Sequence, residues 1–211
     1  MADDVFGGRA PTSHERMTGL PWDASYQDGP APWDTGQPQP EIVRLASEGG
    51  FAGTVLDVGC GTGENALWLA ESGLEVTGID ASPTAIASAR AKAAARRVAA
   101  RFEVADALDL RALRRRFESA LDCGLFHVLD DAERRRYAQS LAEALGPGAQ
   151  AHVLCFSDEE PPGPGPRRIA EWDLRSAFLG LFVVSRLRRG LFQSRIHPGG
   201  AKAWVATLTR I

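Results

Sequence analysis

The sequence predicts an α/β fold in which a doubly wound sheet of about seven strands, mostly parallel, carries helices on both faces and closes with an antiparallel hairpin. Three observations lead there. Residues 54–70, TVLDVGCGTGENALWLA, read as a buried strand, a turn with glycine at alternate positions and a helix, which together make half of a βαβ unit. The same alternation of short apolar runs with helical patterns continues to Phe156. The chain then ends on two runs of strand-forming residues, 182–188 and 203–210, with no helical pattern between them.

Taken in order, residues 1–20 are polar, small and aperiodic and read as disordered or weakly tethered. In residues 21–40, Trp22, Tyr26 and Trp33 are interleaved with five prolines, which bars a long helix yet gives more aromatic area than a linker leaves in water. This segment reads as a strap folded over the active site, or as an arm whose aromatics anchor it to the domain surface. A short helix over residues 41–48 precedes the strand at 54–58, and the helix after the glycine turn presents Ala66, Leu67, Leu69 and Ala70 on its apolar face. Residues 75–80 are the second strand, and Ser82 with Pro83 starts an alanine-rich helix to about Arg97. Residues 101–104 are the third strand, 111–117 a short basic helix and 120–123 the fourth strand. Residues 131–145 are amphipathic, with Tyr137, Leu141 and Leu145 on one stripe, and stop at Gly146-Pro147-Gly148. The fifth strand, 151–156, enters the proline-rich stretch 157–166, residues 171–179 form a last helix, and residues 190–200 are the loop of the closing hairpin. Arginine clusters at 96–97, 114–116 and 134–136 read as solvated helix faces, since acids are interspersed nearby.

A chain of 211 residues is most simply one domain, here residues 21–211, long enough to bury roughly 70% of its unfolded surface. A net charge of −3 and a pI near 5.8 give no global attraction to phosphate backbones, so nucleic acid is not expected as a partner. The start, MADDVFGG, has neither a basic n-region nor an apolar h-region, and no apolar run approaches membrane-spanning length, so the expectation is a cytoplasmic protein, monomeric or weakly dimeric. Three cysteines without disulfide-like spacing suit a reducing compartment, and the four histidines pair with no cysteine at a metal spacing, so no metal is expected.

The glycine turn carries the chemistry. Gly59, Gly61 and Gly63 can bend sharply and let a ligand lie against the backbone. Asp80 ends the second strand 21 residues after Gly59, where a carboxylate grips a ribose diol. The pattern is GxGxG and not the GxGxxG of a dinucleotide fold, which argues against pyrophosphate and a nicotinamide cofactor. Asp57, inside the first strand, can attract a cation. A nucleoside bearing positive charge, such as the sulfonium of S-adenosylmethionine (SAM), fits that polarity.

VLDVGCGTG followed by GIDAS resembles the first two motifs of the class I SAM-dependent methyltransferases, a Rossmann-like family, and the resemblance runs from about Pro32 to the C-terminus. PWDTGQPQP and DCGLFHVL are similar to the small-molecule branch that includes thiopurine and thiol S-methyltransferases. The resemblance implies binding of SAM and its product S-adenosylhomocysteine. It implies cofactor contacts from Trp33, from Asp57 and the turn (Gly59, Cys60, Gly61, Gly63), from Asp80-Ala81 and from Asp106-Ala107, where the acid meets the adenine amino group. Asp122 and Cys123 complete that set. Asp122 faces the cofactor's amino-acid moiety or holds its loop, and Cys123 stands where this branch has serine.

In an open α/β sheet these strand tips converge on one crevice. Trp22, Tyr26, Phe126, Phe156 and Phe192, with Trp172, suggest an aromatic pocket for a small-molecule acceptor, although core packing explains any one of them equally well. His127, with Asp122, is the candidate catalytic group: it orients or deprotonates the acceptor, or is a histidine satisfied within the fold. The resemblance to that branch makes a thiol or thiolate the leading acceptor, and a strong base is not obligatory, since a thiol of pKa about 8.5 is already partly thiolate at neutral pH. Methylation of nitrogen or oxygen on a similar ring is the alternative within the enzyme class, and a SAM-binding module without turnover is the alternative outside it.

Overall fold

A computed structural model of the protein describes residue 6, residues 8–163 and residues 165–211. Its strands are β1 (Thr54–Val58), β2 (Glu75–Asp80), β3 (Ala100–Val104), β4 (Phe117–Cys123), β5 (Leu145–Phe156), β6 (Phe182–Ser194) and β7 (His197–Arg210). Its α-helices are α1 (Ser13–Thr18), α2 (Pro40–Ser47), α3 (Glu64–Glu71), α4 (Pro83–Arg96), α5 (Asp131–Ala144) and α6 (Glu171–Phe178). The strands form one seven-stranded sheet in the order β3-β2-β1-β4-β5-β7-β6. The first five strands are parallel, and β7 inserts antiparallel between β5 and β6.

Successive residues of a strand point to opposite faces. Leu56, Val58, Ala120 and Val153 enter a core shared with Tyr137, Leu141, Leu174 and Phe178 of α5 and α6. Val55, Leu121, Leu154 and Val205 enter a second core with Ile42, Leu67, Leu69 and Ile86 of α2, α3 and α4. A strand covered on both faces must be apolar at nearly every position, which is why β1 reads as a continuous run. The order moves outward from β1 to β3 and restarts on the other side at β4. At that reversal the loops from the carboxyl ends of β1 and β4 diverge and leave a crevice.

Several elements differ from the sequence expectation, each for a local reason. The strand expected at residues 120–123 begins at Phe117, a buried side chain opposite Leu145. The basic helix expected at 111–117 is instead a 3-10 segment, Ala107–Leu113, ended by Arg114 in the left-handed region. α5 passes straight into β5 at Leu145, so Gly146-Pro147-Gly148 is not a free turn. Leu145 faces Phe117 while Gln150 faces Ser119, and the residues between bulge outward, where a proline costs no ladder hydrogen bond.

The expected loop at residues 190–200 is mostly strand, with only Arg195 and Ile196 between the paired Ser194 and His197. Gly190 does not break β6. A Cβ there would stand 2.6 Å from Val205 Cγ2 and 2.8 Å from Glu41 Oε1, so the glycine marks close packing. Arg134, expected on a solvated face, is 4% exposed, with its guanidinium 5.0 Å from the centre of the Phe126 ring. Of the expected disordered start, residues 1–5 and 7 lie outside the described residues. Residues Ser13–Thr18 form α1, which is docked against the start of α5 through Glu133.

Gly63 shows how tightly the first βα unit is built. Its φ is +87°, and a Cβ would come within 2.9 Å of both Ala89 and the Phe102 ring. Gly63→Ala is expected to cost about 2–4 kcal/mol from backbone strain and overpacking, lowering Tm by roughly 5–15 °C. Thermal unfolding followed by circular dichroism checks this, and an unchanged Tm would contradict the packing described.

Candidate active site

A cavity of about 600 Å³ opens at the carboxyl ends of the parallel strands. It is within the range that encloses a drug-sized ligand. Gly59 after β1, Asp80 and Ala81 after β2, Asp106 and Ala107 after β3, Cys123 at the end of β4 and Phe156 at the end of β5 all line it. The five strand tips therefore converge as an open α/β sheet requires.

At one end the backbone itself forms the wall. Gly59, Gly61 and Gly63 have φ of 72°, 54° and 87°, conformations that a side chain would oppose. The Cys60 N–H donates to Ile79 O at 2.8 Å, and the Gly61 N–H donates to Asp80 Oδ2 at 2.9 Å. Asp80 Oδ1 accepts the Ser82 N–H at 2.9 Å. Each oxygen thus holds one amide and keeps lone-pair capacity toward the cavity. Burial raises the Asp80 pKa, and the amides of Ser82 and Gly61 oppose that shift. Asp106 sits likewise one strand along, its carboxylate accepting the Leu108 N–H at 2.9 Å.

At the other end the wall is aromatic. His127, Phe156 and Phe192 meet with ring centres 5.1 to 5.6 Å apart. His127 Nδ1 accepts the Phe156 N–H at 3.0 Å, so its ring proton belongs on Nε2, which lies beside Gly124. Burial, helped by the Arg134 charge, pushes the His127 pKa down to about 3. An imidazole so reluctant to take a proton is not a general base near neutral pH. Of the readings expected for His127, deprotonation of the acceptor is the one this environment does not suit; orientation of the acceptor and a histidine satisfied within the fold both accord with it.

Trp22, Tyr26 and Trp33 line the cavity from the arm, with Trp33 Nε1–H donating to Tyr26 Oη at 3.0 Å. Other expected site residues stand behind the wall. Asp57 is 1% exposed, beneath the turn; Cys60, Gly61 and Gly63 form the inner layer of the turn and do not line the cavity. Asp122, also 1% exposed, accepts the Leu125 and Phe126 amides at 2.9 and 3.2 Å. It holds the loop that carries His127 and does not reach the cavity. Phe126 is core, stacked on Phe178 at 5.4 Å, and Trp172 is 74% exposed on α6, so neither belongs to the pocket.

The main residues not anticipated come from the N-terminal segment: Arg9, Thr12, Ser13, His14 and Met17 all line the cavity. Three carboxylates hold this segment and the arm that follows it. Glu15, 0% exposed, accepts Arg9, the Thr12 N–H at 2.8 Å and the Trp22 N–H at 3.0 Å. Glu133 accepts the Ser13 N–H at 2.6 Å, and Asp23 accepts the Ser82 hydroxyl at 2.6 Å and the Thr84 N–H at 2.8 Å. The one available signal was the capping pattern Thr12-x-x-Glu15 ahead of a short helix. Among the described residues no group of three or more His, Cys, Asp or Glu side chains is placed to hold a metal ion, and no helix is long and apolar enough to cross a membrane.

Residues 55–148 match the model of a methyltransferase domain. The chain is 43% identical over 147 residues to a 2-heptyl-1-hydroxyquinolin-4(1H)-one methyltransferase of Mycobacteroides abscessus, the match covering 68% of this chain and 65% of that protein. It is 28% identical over 151 residues to a probable thiol methyltransferase 2 of Arabidopsis thaliana, covering 71% and 67%. A solved structure described by the conversion of a disulfide bond into a thioacetal group during echinomycin biosynthesis superposes with a TM-score of 0.77 at 41% identity, covering 85% of this chain and 84% of the other.

Asp57 gives this site a measurable signature. No hydrogen bond of normal geometry reaches either carboxylate oxygen, and burial, with Asp122 and Asp80 adding repulsion, pushes its pKa from 3.8 up to about 8. Between those values the folded chain holds a proton that the unfolded chain has released, so the Asp57 contribution to stability falls as pH rises. Buried His127 acts in the opposite sense, but only below its ordinary 6.5. Urea unfolding from pH 6.5 to 8 should therefore show stability falling in the wild type and falling less in Asp57→Asn. Equal slopes would mean that the carboxylate is ionised throughout.

Proposed function

The chain belongs to the SAM-dependent methyltransferases, and we propose that it transfers the methyl group of SAM to a small, partly aromatic or heterocyclic molecule, with a thiol or thiolate sulfur as the first acceptor. The observation that carries this reading is that one cavity joins a nucleoside-type wall, with Asp80 and Asp106, to an aromatic slot of His127, Phe156 and Phe192.

When bound, SAM supplies an electrophilic methyl on a sulfonium whose positive charge disappears on transfer. The residues present fit that group. The glycine turn leaves no side chain between the ligand and the backbone, and a Cβ on Gly61 would already stand 3.1 Å from Tyr26 Oη. Asp80 would hold the ribose diol and Asp106 the adenine edge, with Trp33 above. Asp57, unpartnered beneath the turn, offers a latent negative charge to the cationic half of the ligand. Tyr26, Trp22 and the N-terminal segment exclude water from the methyl-bearing end. The slot aligns the acceptor for in-line attack, and His127 Nε2–H offers it a donor. Alignment and desolvation of this kind contribute several kcal/mol to a displacement.

Sulfur is supported by two relatives whose names involve thiol or disulfide chemistry. Oxygen on a heteroaromatic ring is the second reading, favoured by the relative acting on a 1-hydroxyquinolin-4(1H)-one.

Two measurements test the proposal. Purified protein incubated with SAM and a panel of one dithiol, one thiopurine, one hydroxyquinoline and one phenol should yield a methylated product by mass; a methylated quinoline or phenol alone moves the reading to oxygen. SAM bound with no turnover on any member would leave a binding module. Calorimetric titration with S-adenosylhomocysteine should show Asp80→Ala weaker by about 10- to 150-fold, since hydrogen bonds to a charged group are lost. Unchanged affinity would remove Asp80 from the site.

A further inference from the structure

Three histidines line the cavity, and their surroundings differ. His127 has Nδ1 committed to the Phe156 amide, so the nitrogen left to the site carries the proton. His14 lies flat on Trp22, ring centres 4.2 Å apart and planes 13° apart, and serves as part of the arm's aromatic platform. His197 stands at the tip of the β6–β7 hairpin with Nδ1 2.8 Å from Ser194 Oγ. Its ring is perpendicular to Phe156 at 83° and 5.2 Å, while His127 meets the same phenyl ring at 88° and 5.1 Å. His127 and His197 thus stand beside the same ring at one end of the cavity.

We propose that His197 takes the acceptor's proton during methyl transfer and that Ser194 is the positioning residue that holds its ring. The proposal rests on the methyl-transfer reading above. When Nδ1–H donates to Ser194 Oγ, Nε2 keeps a free lone pair, the arrangement by which a neighbouring oxygen fixes the tautomer of a catalytic histidine. The acceptor's X–H proton passes to His197 Nε2 as X bonds to the methyl carbon, and the electron pair of the broken sulfur–methyl bond returns to the sulfonium sulfur. The histidine is half-buried at the hairpin tip, so the proton can leave to water.

Asp122 is behind the wall, and Asp80 and Asp106 belong to the nucleoside end. Two arginines stand at this corner. Arg167 lines the cavity and pairs with Asp131 at 3.1 Å, and the Arg168 guanidinium lies 5.6 Å from the Phe156 ring centre. Arg167, at the cavity wall, favours negative charge growing on the acceptor.

The test compares wild type, His197→Gln and Ser194→Ala on one hydroxyquinoline scaffold substituted so that its ionisation spans about pH 5 to 10. At neutral pH, His197→Gln should lower kcat/KM by about 100-fold or more for the least acidic members and by less than about threefold for those already ionised. Ser194→Ala should show the same trend more weakly. Absorbance of the hydroxyquinoline bound with S-adenosylhomocysteine should show it ionising at lower pH in wild type than in His197→Gln, while calorimetry shows cofactor affinity unchanged. A uniform loss across the series, or an identical bound ionisation, overturns the base assignment. Absence of turnover by wild type on every member of this series, and on the dithiol and thiopurine of the panel above, overturns the methyl-transfer reading itself.

Discussion

The structure depends on one close approach of backbone to backbone. Between β1 and α3 the chain turns through three glycines of positive φ, and the Cys60 and Gly61 amides reach across to Ile79 and Asp80 at the tip of β2. That contact sets where the cavity wall runs, because it brings the Asp80 carboxylate beside bare backbone. It also sets the packing behind the wall. Gly63 and Gly78 admit the Phe102 ring at distances no Cβ tolerates, which locks β3 and α4 to the turn. Asp57 is buried beneath the same turn with no hydrogen bond of normal geometry, in a strand sealed on both faces.

The second constraint is electrostatic and closes the site from outside. The N-terminal segment has little apolar area of its own, and Met17 and Leu20 are largely exposed. Its placement instead follows from buried or half-buried carboxylates that satisfy backbone amides. Glu15 holds the segment's own turn, Glu133 ties it to the start of α5, and Asp23 ties the arm to the start of α4. Negative charge at two helix N-termini is favourable beyond the hydrogen bonds themselves. The cover over the cavity is thus polar in its fastening and aromatic on its inner side.

Much of this was legible in the sequence where local pattern and global fold agree. The bounds of β1 and β2, the Ser82 cap, the acids at the strand tips and the aromatic arm follow from periodicity, glycine spacing and capping chemistry. The remainder was hidden for identifiable reasons. Gly190 looks like a loop residue and is a packing residue, because what lies across from β6 is decided by α2 and β7. Phe126 and Asp122 share a segment with His127, yet both lie behind the wall while His127 lines the cavity. Whether His127 is donor or base was not readable at all, since it turns on the Phe156 amide, 29 residues away. The docking of residues 9–18 rests on contacts with α5 more than a hundred residues on, beyond any local signal.

The account stands or falls on where the cofactor lies relative to this turn. A crystal structure of the complex with S-adenosylhomocysteine measures it directly. The account predicts the ribose hydroxyls on Asp80, the adenine beside Asp106 and the sulfur pointing into the slot formed by His127, Phe156 and Phe192. A nucleoside bound elsewhere, or with its sulfur directed away from that slot, would contradict it.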